Sequence, residues 1–491
     1  MALSRKRHIL LLATSCVVLL TAGLAFTPPS YRYDPAAWLA NLRASATLPA
    51  GPPGPLAAGG GSVIIRHLRL VDGTGAAARV NVNLRIEGGR ITAVGEDVGG
   101  GLPELDGTGL TALPGLMDAH VHLSMAPAAV LREDSPEVSR ALRAHHLRAY
   151  LASGVTTVLD CAVDDHVALD IQRHLAAGHP GPRYLSLGPP FSAPGGYVND
   201  LFPPGFASVA EVAPHLDLLK RMGAVGVKLP LERGVMFDIW NVHPPAMVQA
   251  ISDGAAQRGM PVYVHAMNEE MYNYGLSIRP HAFVHHPATA SDVLVARLAA
   301  ARPFIVSTVA IWDVQRFLTH PELLDEPHAR LTIPEAERQS MLDDATLRKY
   351  SLGMIMENAP FVPGGLAEVA ASASRTAVGA RMTEASLRAR LTQAQQALLR
   401  LHRAGVPIVA GSDSGNWPIF PYYFHGPTLW RELELLLEAG LTPPEVIAAA
   451  TRVSAQMLGL SQELGTLEVG KRADLIVVGG DPLKDLPGAL R

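Results

Sequence analysis

The chain has 491 residues, of which 48% are hydrophobic and 18% charged, and its formal net charge is −4. That length supports a large core and more than one structural unit. The mild negative charge offers no basic surface for nucleic acid or for an anionic membrane.

In chain order, residues 4–8 (SRKRH) are basic and residues 9–26 (ILLLATSCVVLLTAGLAF) are apolar to weakly polar. Residues 1–26 therefore read as an export signal cut after Ala25, or as an uncleaved anchor at the short end of what spans a bilayer. A lipoprotein reading through Cys16 fails, because too little apolar sequence precedes it. The body is expected outside the cytoplasm, periplasmic or secreted, touching a membrane only through this segment if it stays uncleaved. Cys16 and Cys161 are the only cysteines. The exported body then carries one thiol and no internal disulfide. Residues 27–61 follow as a Pro/Gly-rich linker, a flexible tether by composition.

Residues 62–112 contain SVIIRHLRLVDGTG and VNVNLRIEGGRITAVG, alternating strands with Gly turns. They are expected to form the first part of a small β-sandwich. From 113 to 455, strand-like runs alternate with helix-like ones: LMDAHVHL, VTTVLDC, RYLSLGPPF, AVGVKLPLE, PVYVHAM, HAFVHH, FIVSTVAI and PIVAGSDSG. Eight such strands predict an α/β fold, a (β/α)8 TIM barrel. The segments near 313–352 and 357–404 have room for extra helices over the barrel mouth. Residues 456–491 return to β character with LGTLEVGKRADLIVVGGDP, so the sandwich is expected to draw on both chain ends. No repeat recurs at solenoid periods.

Residues two apart on a strand share a face. His120 and His122 are therefore expected to point together, with Ala119, Val121 and Leu123 on the other side. Two imidazoles so placed can chelate a divalent ion, although an HxH pair alone more often belongs to the core or surface. The other strand ends repeat the theme, with His265 in PVYVHAM, His285 and His286 in HAFVHHP, and Asp413 in PIVAGSDSG. Lys228, one of six lysines, lies inside an apolar strand, where snorkelling or an ion pair competes with a functional role. A buried unpaired carboxylate is costly, and a metal would remove that cost. Barrels of this class carry their chemistry at the C-terminal ends of their strands.

The segments VDGTG, IEGGRITAVG, LPGLMDAHVHL, ASGVTTVLD, GVKL, VYVHA, GVPIVAGSDSG, EAGLTPPEVIAAATRVSAQMLGL and LGTLEVGKRADLIVVGGDPL, in that order, resemble the amidohydrolase superfamily. The branch is the one similar to imidazolonepropionases and metal-dependent Xaa-Pro dipeptidases, and the resemblance runs from about residue 62 to 485. It implies two divalent ions per chain, zinc above all, and a CO2-derived carbamate on Lys228 that bridges them. His120 and His122 match the ligands of the first ion, His265 and His285 those of the second. Asp413 matches the aspartate that binds the first ion and shuttles protons. His285 is preferred to His286 because it lies 20 residues after His265. The implied reaction is hydrolysis of a C–N bond by a metal-bridged hydroxide. Tyr197, Asn268 and His286 are candidates for binding the substrate or stabilising its oxyanion.

The superfamily's deaminases usually use one metal, lack the lysine, and carry Glu three residues after the third histidine. Here His265 is followed by AMNEE, with glutamates four and five residues on, which favours the two-metal hydrolytic type. There are departures from the branch: Met267 replaces a frequent histidine, VHHP stands where EHG or VHT is common, and PGGYVND puts Tyr197 where GGH is common. They leave the metal site intact and put the dipeptidase reading in doubt.

A small-molecule amide or peptide substrate, a dipeptide or N-acyl amino acid, is expected. The alternatives are a lactone, carbamate or imidazolone-type ring or, from another class, a non-enzymatic metal-bearing binding protein, which the filled ligand positions disfavour. A homo-oligomer is compatible with the sequence. Glu432, Glu434 and Glu438 read as a solvated helix face, Cys161 as a buried core thiol, Asp160 as an acceptor for a ligand histidine, and His425 as either a substrate contact or a packed residue.

Overall fold

The computed structural model describes residues 61–124, 136–199, 202, 205–234, 240–313, 321–335, 338, 384–415 and 423–490. The leader, nearly all of the linker and much of 314–383 lie outside them. Among the described residues no helix is long and apolar enough to cross a membrane.

The N-terminal strands are β1 (Val63–Leu70), β2 (Arg79–Glu87), β3 (Arg90–Gly95), β4 (Glu104–Asp106) and β5 (Leu110–Pro114). They share one six-stranded sheet with β14 (Leu475–Gly479), in the order β14-β5-β1-β2-β3, with β4 paired to β1. Antiparallel pairing of β5 with β14, from Pro114 opposite Leu475 to Leu110 opposite Gly479, joins the two ends of the described chain. Leu68, Leu84 and Ile91 form its sealed apolar centre.

Between β5 and β14 the described residues form eight parallel strands, each where an apolar run predicts one: β6 (Leu116–Val121), β7 (Val155–Asp160), β8 (Arg183–Ser186), β9 (Val227–Pro230), β10 (Val262–His265), β11 (Ala282–Val284), β12 (Phe304–Val306) and β13 (Ile408–Val409). They form a three-stranded sheet, β6-β7-β8, and a five-stranded one, β13-β12-β11-β10-β9. A helix follows every strand, from Pro136–Ala152 after β6 to Pro427–Glu438 after β13. Helices on the faces leave such strands buried on both sides, hence their near-continuous apolar sequences.

Backbone hydrogen bonds run between the two sheets at both pairs of edges. On one side Ala119 N donates to Ala410 O (3.1 Å), Asp413 N to His120 O (2.8 Å) and His122 N to Ser414 O (2.8 Å); on the other, Val225 N donates to Ser186 O and Phe191 N to Lys228 O (both 2.9 Å). Ala119, Leu159, Leu185, Tyr263, Val284, Val306 and Val409, each from a different strand, meet in one inner apolar cluster. β9 supplies Lys228, which pairs in register with Tyr263 and shares its face.

Two expectations are corrected here. Ala119 joins the inner cluster instead of facing away with Val121 and Leu123, because the β6–β7 register shifts between Asp118 and Val121. The three glutamates do not form one solvated face. Successive helical residues turn by about 100°, which sets Glu432 nearly opposite Glu434. Glu434 and Glu438 pair with Arg431, whereas Glu432 is wholly buried.

The first seam requires a bare backbone at residue 411. A Cβ on Gly411 would stand 2.5 Å from Val306 Cγ1 and 2.9 Å from His120 Cβ. Gly411→Ala is therefore expected to push β13 off β6, costing about 1–3 kcal/mol as overpacking does. An unchanged denaturant midpoint would show that the seam yields.

Candidate metal centre

His120 and His122 leave β6 on one side: their Nε2 atoms lie 3.2 Å apart. Asp413 Oδ1 is 3.3 Å from His120 Nε2 and 3.1 Å from His122 Nε2. Ligand atoms of His120, His285 and Asp413 all lie within 4.8 Å of one another. The His285 ring centroid is 4.7 Å from that of His120 and 4.5 Å from that of His265. Four imidazoles and a carboxylate thus converge, and all five residues are buried.

Backbone turns aim these groups. Asp118, also buried, accepts from His120 N (3.3 Å), from Ser412 N (2.9 Å) and, through its second oxygen, from Ser412 Oγ (2.5 Å). One carboxylate thereby ties the HxH segment to the segment carrying Asp413. Asp413 has φ +58° and His285 φ +73°. Left-handed backbone at residues other than glycine is uncommon, and it recurs where surrounding structure holds a functional group in place.

That conformation sets which of the two histidines faces the cluster. Ala282 and Val284 of β11 face the inner cluster and Phe283 the outer one, so plain alternation would send His286 inward. The turn at His285 reverses the order. His285 faces the other imidazoles, while His286 Nδ1 bonds Ser307 O and the ring lies beside the Ala394 backbone of the helix Glu384–Arg403. His285 Nδ1 is 2.8 Å from Thr308 Oγ1, which leaves Nε2 for a ligand.

The electrostatics favour neutral imidazoles. Burial, with Lys228 next, holds His120 and His265 well below the usual histidine range; for His285 the causes are burial and then His265. Neutral imidazole is the ligating form. Lys228, itself buried, is lowered from the usual lysine value by burial.

These residues fit a cation. Asp413 Oδ1 lies within 3.3 Å of both ring nitrogens yet accepts a hydrogen bond from neither ring. A cation among them would satisfy all three atoms. His265 Nε2 is likewise sealed and has no hydrogen-bond partner, which costs about 1–3 kcal/mol when no ligand compensates. A carboxylate that the sequence reading missed stands beside it: Glu232 Oε2 is 3.7 Å from His265 Nε2, and Glu232 is 1% exposed. A signal for it existed, since Lys228, Pro230 and Glu232 fall on one face by alternation.

The remaining expectations resolve individually. Tyr197 lies against His265 (ring centroids 4.5 Å apart) and against Trp240 (4.9 Å), forming an aromatic wall on that side. Asn268 is exposed and caps the helix Glu269–Gly275, its Oδ1 accepting from Met271 N at 3.0 Å. Asp160 Oδ2 accepts from Leu123 N (3.2 Å) and Tyr184 OH (3.1 Å), so it holds the chain after His122 and serves no ligand histidine. His122 Nδ1 has Ala162 O at 3.4 Å instead. Cys161 is a buried free thiol. His425 packs, with Nδ1 2.9 Å from Tyr150 OH and its ring 4.2 Å from that of His146.

The model of the amidohydrolase family matches residues 111–490. The chain belongs to the amidohydrolase family. Among curated relatives, an allantoinase of Solibacter usitatus (strain Ellin6076) is 29% identical over 196 residues, 40% of this chain and 38% of that protein. A 5'-deoxyadenosine deaminase of Methanobrevibacter smithii is 45% identical over 51 residues, 10% of this chain and 12% of that protein. This amidohydrolase therefore spans well under half the length of either. Among solved structures, a Xaa-Pro dipeptidase with methionine bound in its active site superposes with TM-score 0.64 at 21% identity, over 88% of this chain and 97% of that one. The A. niger ochratoxinase gives 0.64 at 19%, over 88% and 92%. At such identities the likeness is one of fold, and it implies a TIM-barrel-like domain.

Glu232→Gln is expected to weaken metal retention, because it removes a carboxylate 3.7 Å from the ring nitrogen of His265 that is left for a ligand. Chelator competition measures it. Unchanged retention would mean that Glu232 serves only its backbone donors, among them the Gly234 amide, which donates to Oε1.

Proposed function

We propose that this amidohydrolase hydrolyses a C–N bond at the centre formed by His120, His122, Lys228, His265, His285 and Asp413. In this reading the eight parallel strands close into one (β/α)8 barrel, and the sheet drawn from both chain ends completes a small sandwich. The convergence of His120, His122, His285 and Asp413 in a site sealed from water carries the proposal.

His120, His122 and Asp413 would hold one divalent ion and His265 and His285 a second, zinc in both cases, with Lys228 between them as its CO2-derived carbamate. The neutral lysine nitrogen bonds to the carbon of CO2 and loses a proton, leaving one negative charge shared by the two carbamate oxygens. Bound there, such ions supply Lewis acidity and bring the pKa of water towards neutrality. Asp413 accepts a proton from the attacking water and delivers it to the leaving nitrogen, so that an amine departs in place of an amide anion. Tyr197 and Trp240 wall the substrate on the His265 side, and the Tyr197 phenol is the candidate donor to the oxyanion.

A peptidase-like substrate, a dipeptide or N-acyl amino acid, is the first choice, supported by the superposition on a Xaa-Pro dipeptidase over nearly its whole length. The allantoinase match over 196 residues supports a second reading, a cyclic amide. Assay of Xaa-Pro and other dipeptides, N-acyl amino acids and allantoin, alongside metal analysis, separates the two. About two ions per chain and turnover lost on chelation are expected. Asp413→Asn should lower kcat about 100-fold or more, the usual worth of a proton-transfer group, with a smaller loss of metal; unchanged kcat removes the shuttle role. Lys228→Ala should lose metal and activity together, and full retention of both would rule out the carbamate.

The basic-then-apolar leader supports export. Mature protein beginning after Ala25, or intact protein in the membrane fraction, agrees with that; full-length soluble protein in the cytoplasm contradicts it.

A further inference from the structure

Glu432 sits on the helix Pro427–Glu438, in the layer outside the strands, and is wholly buried. Its two oxygens divide their work. Oε1 accepts from Ser307 Oγ, and Oε2 accepts from Ala310 N at 2.7 Å. The carboxylate therefore spans the turn that leaves β12 and grips it on both sides of Thr308.

Thr308 has φ +43° and ψ +41°. A β-branched residue is an outlier in the left-handed region, and such a residue persists only where its surroundings over-determine it. Its side chain is the one that reaches His285, with Oγ1 2.8 Å from Nδ1. The neighbouring residue is engaged as well, because Ser307 O takes His286 Nδ1. The paired segments 285–286 and 307–308 are thus locked side by side, and Glu432 holds the second of them from behind.

Burial pushes the Glu432 carboxyl up to about 7, and the bonds from Ser307 and the backbone only partly oppose this. A buried charge is a poor source of stability, since well-packed apolar residues often serve as well or better. What this carboxylate holds, the turn carrying Thr308, accounts for it better.

We propose that Glu432 is a positioning residue for the metal centre: it clamps Ser307–Ala310 so that the Thr308 hydroxyl fixes the ring of His285. An imidazole that ligates through Nε2 carries its proton on Nδ1, which then donates to Thr308 Oγ1. The clamp sets both the tautomer and the ring angle, as partners behind ligand histidines do. The inference depends on His285 being a ligand, as proposed above.

The experiment is zinc affinity of the purified full-length protein by chelator competition, with the melting temperature of the metal-free form measured alongside. Thr308→Val and Glu432→Ala should each weaken zinc binding by about 10–100-fold, while Thr308→Ser and Glu432→Gln, which keep the hydroxyl and the bridging side chain, should stay within about threefold. The double variant Glu432→Ala/Thr308→Val should bind no more weakly than the worse single one, because both break one chain of contacts. A merely structural Glu432 would lower the metal-free melting temperature and leave affinity intact, and that result overturns the proposal, as does full additivity in the double variant. If Glu432→Ala does not fold, Ser307→Ala breaks the clamp at one end and is read in the same way. His285→Ala separates the two layers of the argument. Unchanged zinc affinity there removes His285 as a ligand, whereas lost affinity there with intact affinity in Glu432→Ala removes the clamp alone.

Discussion

Four imidazoles, an amine and several carboxylates are buried together at one end of the parallel strands, and the architecture around them answers to that burial. Water is excluded, so protonated histidines are disfavoured, and Lys228 and its neighbours shift towards their neutral forms. Such a cluster is unfavourable by itself. Apolar packing must offset it, and a cation bound among the ring nitrogens would turn the same geometry from a cost into an affinity. The inner cluster contributed by the other strands fills the space next to Lys228 and seals the site from one side.

Precision in the centre depends on strained turns held from behind. Asp413, His285 and Thr308 all have positive φ, and each has neighbours that hold it. Asp118 braces the segment of Asp413 through both the backbone and the hydroxyl of Ser412. Tyr272 OH donates to His285 O, and Glu432 spans the turn containing Thr308. The proposed chemistry calls for this arrangement, since a ligand set loose by an ångström loses both its metal and its proton path.

Much of this was legible in the sequence. All eight parallel strands lie where apolar runs bounded by Gly, Pro and polar residues predict them, because strands covered by helices need apolar residues on both faces. Family motifs picked out the residues that converge. What escaped was set by backbone turns and by distant neighbours. His285, preferred on its spacing from His265, does face the cluster, although its inward turn contradicts simple alternation and depends on one left-handed residue. Glu432 reads with Glu434 and Glu438 as one solvated face of a helix, although helical rotation sets Glu432 and Glu434 on nearly opposite sides. Asn268 read as a site residue but caps a helix, and the two glutamates after it were the local sign of a helix start. Glu232 could have been found, since it shares the face of Lys228.

The most direct test of the central claim is anomalous X-ray diffraction at the zinc edge from crystals of the zinc-loaded protein. The account predicts two peaks, one bounded by His120, His122 and Asp413 and the other by His265 and His285, with density for a carbamate on Lys228 between them. A centre without anomalous signal, its histidines and Asp413 closed on one another by direct hydrogen bonds, would contradict it.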